Sequence, residues 1–534
     1  MGSCMNEKTS GVPEHITRTL GREAQRNNIL AARVIADIVK TTLGPKGMDK
    51  MLVDSVGNVT ITNDGVTILE EMELDHPAAK LIVDIAKTQE HEVGDGTTTV
   101  AMLAGSLLGE AEKLLDRRIH PTVIIKGYER SAAMALLLAK EISKEADSKE
   151  ALKKIAITAM TGKGAEGHKD KFAEIIVEAV DKVANRREID LDDINIVKVI
   201  GEGAEKGELV EGIVVDKEIT HADMPKNIEE ARIALVDIPL EIRSPERETR
   251  ISISSPEQLQ SFLDAEEQFL REITNRILQT GANVVFCQKG IDDTAQYYLA
   301  KAGIMAFRRM SKSDMKKISK ATSAKIISAL QELTQDSLGY AKFVEEIKRG
   351  EGGLVYVRGC KNPKAVSIIL HGSTNHMLDE VERAMKDGLG VVASVVRDGR
   401  IVAGGGAIEI ELARRLREFA STLSGREQLA AEAFANALET IPETLAENAG
   451  LDPIEIVTEL RRRHGTGLVH DGLNLLNDKI EDCFSAGIIE PLKVKTQAIS
   501  AATEVATMLL RIDDVLVSSD KTQNALKTPI VDDD

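Results

Sequence analysis

A chain of 534 residues is too long for one core and, at about 150 residues per domain, implies three or four domains. Its 43% hydrophobic and 29% charged residues are those of a soluble globular protein; aromatics at 3%, with no Trp, leave Ala, Val, Ile and Leu to build helix-rich cores. A formal net charge of −18 repels polyanions and so argues against nucleic acid or anionic membranes as partners.

Cys4, Cys287, Cys360 and Cys483 are far apart and form neither a CxxC pair nor a Cys/His cluster, which points to reduced thiols rather than a disulfide scaffold or zinc site. Met1 to Ser10 lacks the apolar centre of a secretory leader, and Asn6 stands where a myristoylation signal at Gly2 needs Ser or Thr. No run approaches the roughly 18 apolar residues of a membrane span. The expectation is a soluble, cytoplasmic protein.

In chain order, Ile29, Leu30, Val34, Ile35, Ile38 and Val39 predict a helix from Gly21 to Leu43, stopped by Gly44-Pro45. Leu52-Val53 and Val59 to Thr62 flank Gly57-Asn58 as a short hairpin, and helices follow over 97–115 and 121–145. The middle alternates instead. Ile233 to Val236, Val284 to Cys287 and Ile304 to Phe307 read as buried strands, with a helix over 292–302, which predicts an α/β region with parallel pairing. Inside it Ser255, Pro256 and Gln258 form a capping box for a helical insert whose Leu259, Phe262, Leu263, Phe269, Leu270 and Ile273 recur at helical spacing. Such a stripe usually faces a core, but the polar Ser244 to Arg250 before it keeps a projecting arm in view. From Gly406 to Leu510 long Ala/Leu/Glu-rich helices return. The simplest topology is a helical domain made from both chain ends, with the middle inserted.

Chemistry concentrates in Val93-Gly94-Asp95-Gly96-Thr97-Thr98-Thr99-Val100. Glycines let backbone approach an oxyanion, threonines offer hydroxyls, and the following helix start favours phosphate. Asp95 suits such a place only with a divalent cation such as Mg2+. On this segment alone a tight turn with a Thr-capped helix fits equally well. The other candidates are individually bland: Leu43-Gly44-Pro45-Lys46-Gly47 as a helix stop, Asn63-Asp64-Gly65 as a cap, Thr161-Gly162-Lys163-Gly164 as a solvated loop, Gly404-Gly405-Gly406 as a hinge, and Asp387 as an exposed helical carboxylate. There is no GxxxxGK followed by Ser or Thr, and Gly201 to Gly207 misses the dinucleotide spacing by one residue. The ten histidines include no HExxH and no pairing with Ser or Cys. Any catalysis must come from carboxylates and metal acting on phosphate.

Taken together and in order, these segments, with Leu43 to Lys50, Thr62 to Thr67, Glu490 to Lys495 and Leu510 to Asp514, resemble the group II chaperonins, the archaeal thermosome and eukaryotic cytosolic chaperonin family, along essentially the whole chain. The resemblance implies a multidomain α and α/β fold: an equatorial ATPase domain (1–149 and 404–534), a small α/β intermediate domain (150–217 and 371–403), and an apical α/β domain (218–370) whose helical protrusion, about 243–280, is a built-in lid. It implies a double-ring ATP-dependent chaperone that encloses unfolded proteins, without a separate co-chaperonin. By motif, Asp95 would bind Mg2+, Gly96, Thr97, Thr98 and Thr99 the phosphates, and Leu43, Gly44 and Pro45 would cover the nucleotide. Gly405, Asn474 and Glu490 would contact ribose and base; Asp64 and Asp387 would position the attacking water; Lys163 would sense the γ-phosphate. Two departures stand out: the tail ends Thr528 to Asp534 rather than in Gly/Met repeats, and Gly388 replaces an expected Ala, which predicts a looser helix there. An ATP-using small-molecule enzyme and a nonenzymatic ring scaffold are the competing readings. The first lacks a substrate constellation, and the second leaves Asp64, Asp95, Lys163 and Asp387 without purpose.

Overall fold

The computed structural model describes residues 16–72, 74–146, 148–184, 189–200, 206–241, 256–349, 352–360 and 365–518. The chain divides into two compact units, Met1–Glu145 with Arg400–Asp534, and Ala146–Gly399.

The first unit is built around the helix Thr97–Asp116, which is buried nearly all round by Gly21–Lys40, Pro77–Val93, Arg426–Asn448 and Leu492–Arg511. Small residues permit this: a Cβ on Gly105 would lie 2.4 Å from the Cβ of Ala36. One of the few aromatic pairs, Tyr128 edge-on to Phe434 at 5.6 Å, completes the core, and the Tyr128 hydroxyl donates to Leu107 O at 2.8 Å. The chain ends meet as antiparallel strands Ile16–Leu20 and Asp514–Ser518, tied by Arg18 to Asp514 at 2.7 Å. The hairpin forms, with strands Lys50–Val53 and Val59–Thr62. Met51 pairs with Ile61 and Val53 with Val59, so one face carries four apolar side chains, all exposed.

The second unit centres on a nine-stranded sheet. Asn227–Val236, Val284–Cys287 and Met305–Phe307 pair in parallel, in the register Ile233 to Val284 to Met305. Alternate side chains feed two cores: Ile233, Leu235, Phe286 and Phe307 on one face, Ala234, Val236, Val285 and Ala306 on the other. Strand Lys206–Asp216 pairs first with Val366–Gly372 and then with Gly352–Arg358. The change falls at Gly212 (φ +126°), where any Cβ would sit 2.0 Å from Val357 O.

The helix Pro256–Thr280 buries Leu270 and Ile273 of the predicted stripe, and Ile277 beyond it, but leaves Phe269 exposed; the side chains of Leu259, Phe262 and Leu263 lie outside the described residues. The capping residue Ser255, Ser244 to Arg250, most of Gly201 to Gly207, Cys4 and the Thr528 to Asp534 tail lie outside the described residues. Helix Asn375–Asp398 runs unbroken through Gly388. A Cβ there would stand 2.5 Å from Ile176 Cδ1, so this glycine marks close helix packing, not looseness. Among the described residues no helix is long and apolar enough to cross a membrane.

Candidate functional site

Helix Pro77–Val93 ends at Gly94 (φ 80°), whose N–H donates to Glu90 O at 2.7 Å, and Gly96 (φ 84°) starts Thr97–Asp116. Two left-handed residues in three positions is a conformation that glycine adopts without strain. The N-cap of the Thr97 helix is Gly96, which has no side chain to cap with, so the Thr-capped turn is not what forms. Its first-turn N–H groups and the positive end of its dipole remain directed at the loop, which makes an anion site.

Instead of capping, Thr97 Oγ1 donates to Asp64 Oδ1 at 3.3 Å. The other Asp64 oxygen caps Gly65–Glu70, accepting from Thr67 N at 2.9 Å and Thr67 Oγ1 at 2.7 Å. Gly65 lets the two helix starts meet, since its Cβ would lie 2.7 Å from Thr98 Oγ1. Asp64 is thus both a cap and a neighbour of the threonine loop.

The Leu43–Pro45 segment is folded onto the same place. Thr42 Oγ1 lies 3.5 Å from Thr98 Oγ1, Gly47 N donates to Gly44 O, and Asn448 holds Lys40 O and Leu43 O at 3.1 and 2.9 Å. Gly44 (φ +81°) packs on Leu445 and Leu475. The Gly404–Gly406 loop precedes helix Ala407–Ala420, also without a side-chain cap; Gly405 accepts from Leu473 N at 2.8 Å, which brings it beside Asn474. The Asn474 amide is engaged within its own hairpin, donating to Glu481 at 2.6 Å and accepting from Leu476 N at 3.0 Å.

Glu490, on the short strand Ile489–Pro491, pairs with Lys495 Nζ at 2.7 Å, and the same ammonium holds Glu409 at 2.9 Å. Burial pushes the Glu490 carboxyl up; Lys495 opposes this more strongly than the charges of Glu409 and Asp95 add to it, but does not cancel it. Burial pulls the Lys495 ammonium down, yet its two carboxylates hold it above the ordinary lysine value. The two acids keep the shared cation protonated, while burial leaves the Glu490 carboxylate under-compensated.

In the second unit, Lys163 follows helix Lys149–Met160 in a turn made by Gly162 (φ +80°), and Asp387 lies on Asn375–Asp398. Lys163 Nζ meets Asp387 Oδ2 at 2.5 Å, with both side chains largely buried. The fold therefore brings the candidates together in two sets: Leu43, Gly44, Pro45, Asp64, Asp95 to Thr99, Gly405, Asn474 and Glu490 in one unit, and Lys163 with Asp387 in the other. Cys287, Cys360 and Cys483 are buried and free, their thiols pushed up by burial to about 11, 11 and 12, which makes them poor nucleophiles.

The sequence pattern of the TCP-1/cpn60 chaperonin family matches residues 35–520. The chain belongs to that family. A thermosome subunit from Methanopyrus kandleri is 54% identical over 513 residues, 95% of this chain and 94% of that one. The thermosome subunit beta of Archaeoglobus fulgidus is 55% identical over 511 residues, again 95% and 94% of the two chains. The open-state monomer of a group II chaperonin from Methanococcoides burtonii superposes with a TM-score of 0.61 at 45% identity, covering 79% of this chain and 100% of that one.

This chaperonin is accordingly an ATP-dependent molecular chaperone of the double-ring type, a nucleotide-binding ATPase with the group II fold. Its local geometry adds residues that the sequence reading did not single out for the site: Thr42, Gln89, Glu409 and Lys495. Gln89 is fully buried and donates to Asp95 O at 3.0 Å and Val494 O at 3.1 Å. Its position inside an Ala/Ile/Val-rich helix face was the available signal, because a buried amide needs partners.

Proposed function

We propose that ATP with Mg2+ occupies the convergence of these loops. The observation that carries this reading is the Thr97 helix start, which follows two positive-φ glycines and is tied through Thr97 to Asp64. Gly96, Thr97, Thr98 and Thr99 take the phosphates, Leu43, Gly44 and Pro45 cover the nucleotide, and Gly405, Asn474 and Glu490 take ribose and base. Asp95 serves the metal. Among the described residues no cluster of three acids, His or Cys could hold a metal by itself. The donor set of one or two carboxylates beside a phosphate cradle suits Mg2+, which keeps waters and substrate oxygens as ligands. When bound, Mg2+ would offset charge on the phosphate oxygens. Asp64 and Asp387 are assigned to the attacking water and Lys163 to the γ-phosphate. The 2.5 Å contact of Lys163 with Asp387 supports treating these two as one functional pair.

On this reading residues 1–149 and 404–534 form the equatorial domain, 150–217 and 371–403 the intermediate domain, and 218–370 the apical domain. The protrusion at about 243–280 closes as a built-in lid on hydrolysis, and no separate co-chaperonin cap is required. Unfolded cytoplasmic proteins are the clients. The exposed apolar face of Met51, Val53, Val59 and Ile61 favours self-association, because such an edge is a liability unless another surface covers it.

Asp387→Ala should lower ATP turnover by roughly a thousandfold, about 4 kcal/mol, while ATP affinity changes little. Single-turnover hydrolysis beside calorimetric ATP binding reads both, and unchanged turnover removes Asp387 from the mechanism. Negative-stain images with and without ATP test the double ring and its closure; a stable monomer with full ATPase activity refutes the assembly.

A further inference from the structure

Behind the phosphate loop lies a buried polar group that no assigned role explains. Lys495 is only 6% exposed, in the first turn of helix Leu492–Arg511, and grips Glu490 at 2.7 Å and Glu409 at 2.9 Å. Glu409 opens helix Ala407–Ala420 immediately after the Gly404–Gly406 loop, and its Oε2 is buried without a hydrogen-bond partner among the described residues. Gly404 packs against the other carboxylate, since its Cβ would stand 2.9 Å from Glu490 Oε1. One residue before Lys495, the Val494 carbonyl accepts from Gln89, whose amide also holds the Asp95 carbonyl of the phosphate loop. Val494 itself backs that loop, 2.8 Å from where a Gly96 Cβ would be. Thr99, Glu409 and Lys495 share the wall of one small internal cavity.

We propose that Lys495 is a positioning residue for the nucleotide: it locks the Glu490 strand and the Gly404–Gly406 loop in register with the phosphate loop, resting on the reading of Glu490 and Asp95 as nucleotide and metal contacts. A purely structural lysine has little reason to be here. Burying an ammonium costs several kcal/mol before its pairs offset it, and an apolar side chain would pack the same space at less expense. The placement is informative because the cation joins three segments that each touch the proposed nucleotide. Lys495 touches no nucleotide itself. Its effect is on where Glu490 and the loop stand, so it acts on affinity more than on the chemical step.

The test is Mg2+·ADP affinity by titration calorimetry on the full-length chain, with steady-state ATPase in parallel. Lys495→Met should raise the ADP Kd and the ATP KM by roughly ten- to a hundredfold, with kcat falling far less. Glu409→Gln combined with Lys495→Met removes one acid and one base, which relieves repulsion between the two carboxylates, and should recover part of that affinity. This charge-conserving double variant also carries the test if the single variant does not fold, because it too should bind ADP more weakly than the parent. Parental ADP affinity in either folded variant, or a loss confined to kcat, overturns the proposal. Asp95→Ala separates the two readings. If Asp95→Ala binds Mg2+·ADP as the parent does, the nucleotide site is misplaced and the role of Lys495 falls with it; if Asp95→Ala loses affinity and the Lys495 variants do not, only the role of Lys495 falls.

Discussion

The two units handle polar groups in opposite ways. Among the described residues, every fully buried charged side chain, Glu409, Glu411, Glu439, Asp471 and Lys495, together with buried His464, lies in the first unit and after residue 400. The buried polar side chains of the second unit are neutral: Asn195, Gln296, Ser367, Ser394 and several threonines and serines. Buried charge is retained only where it is paired, and pairing imposes a geometry that apolar packing does not. The unit that carries the proposed phosphate loop thus has the more strictly specified interior, and the sheet unit is held by packing on its two faces.

The sharpest way to break this contrast is to remove one charge. Glu439 sits buried between Arg417, at 2.8 Å, and Arg461, at 2.8 Å, so Glu439→Ala should destabilise the first unit by about 3–5 kcal/mol. Gln296 is the neutral counterpart in the second unit, donating to Ile291 O at 2.7 Å, and Gln296→Ala should cost about 1–3 kcal/mol. Urea unfolding monitored by hydrogen exchange in each unit compares them, and equal costs would erase the distinction.

Acid should separate the units next. Burial opposes charge on Glu411, but hydrogen bonds from His464, Arg414 and Arg415 win and hold its carboxyl down to about 2, against an ordinary 4.5. A carboxyl lowered on folding stabilises above its unfolded pKa, so this contribution, at most about 3 kcal/mol, is full above pH 4.5 and disappears as pH falls toward 2. Limited proteolysis over that range should show the first unit opening earlier, and Glu411→Gln should flatten its acid dependence.

The smallest effect is expected at Gly388. Alanine gains up to about 1 kcal/mol of helix propensity, but its Cβ meets Ile176 Cδ1 at 2.5 Å, so Gly388→Ala should shift stability by no more than about 1 kcal/mol in either direction. A shift in thermal midpoint of several degrees would mean that the contact between these helices is stiffer than an isoleucine terminus should be.

What the sequence disclosed follows from where local rules suffice. Helix Gly21–Lys40, the hairpin and the parallel strands could be read from period, glycine stops and β-branched runs, because each is set by neighbours in the chain. Asp64 was legible as a cap; its second oxygen, on Thr97, was not, since that contact spans 33 positions. Lys495 closes the Glu490 to Lys495 segment, and nothing in the sequence assigns it a role. Lys493 and Lys495 look alike in sequence, and only the packing of helix Leu492–Arg511 buries the second of them. At Gly388 the local rule misleads for the same reason: propensity describes an isolated helix, and a partner helix decides the residue.

The exposed face of the hairpin Lys50–Val53 and Val59–Thr62 has a consequence for handling as well as for assembly. A surface that is satisfied only by another molecule makes stability a property of the solution, governed by mass action. Dilution should lower the thermal midpoint of this chaperonin, as it does for any protein whose folded state gains by association. Polar replacement of Met51 and Ile61 should make that midpoint independent of concentration, at the cost of the larger particle.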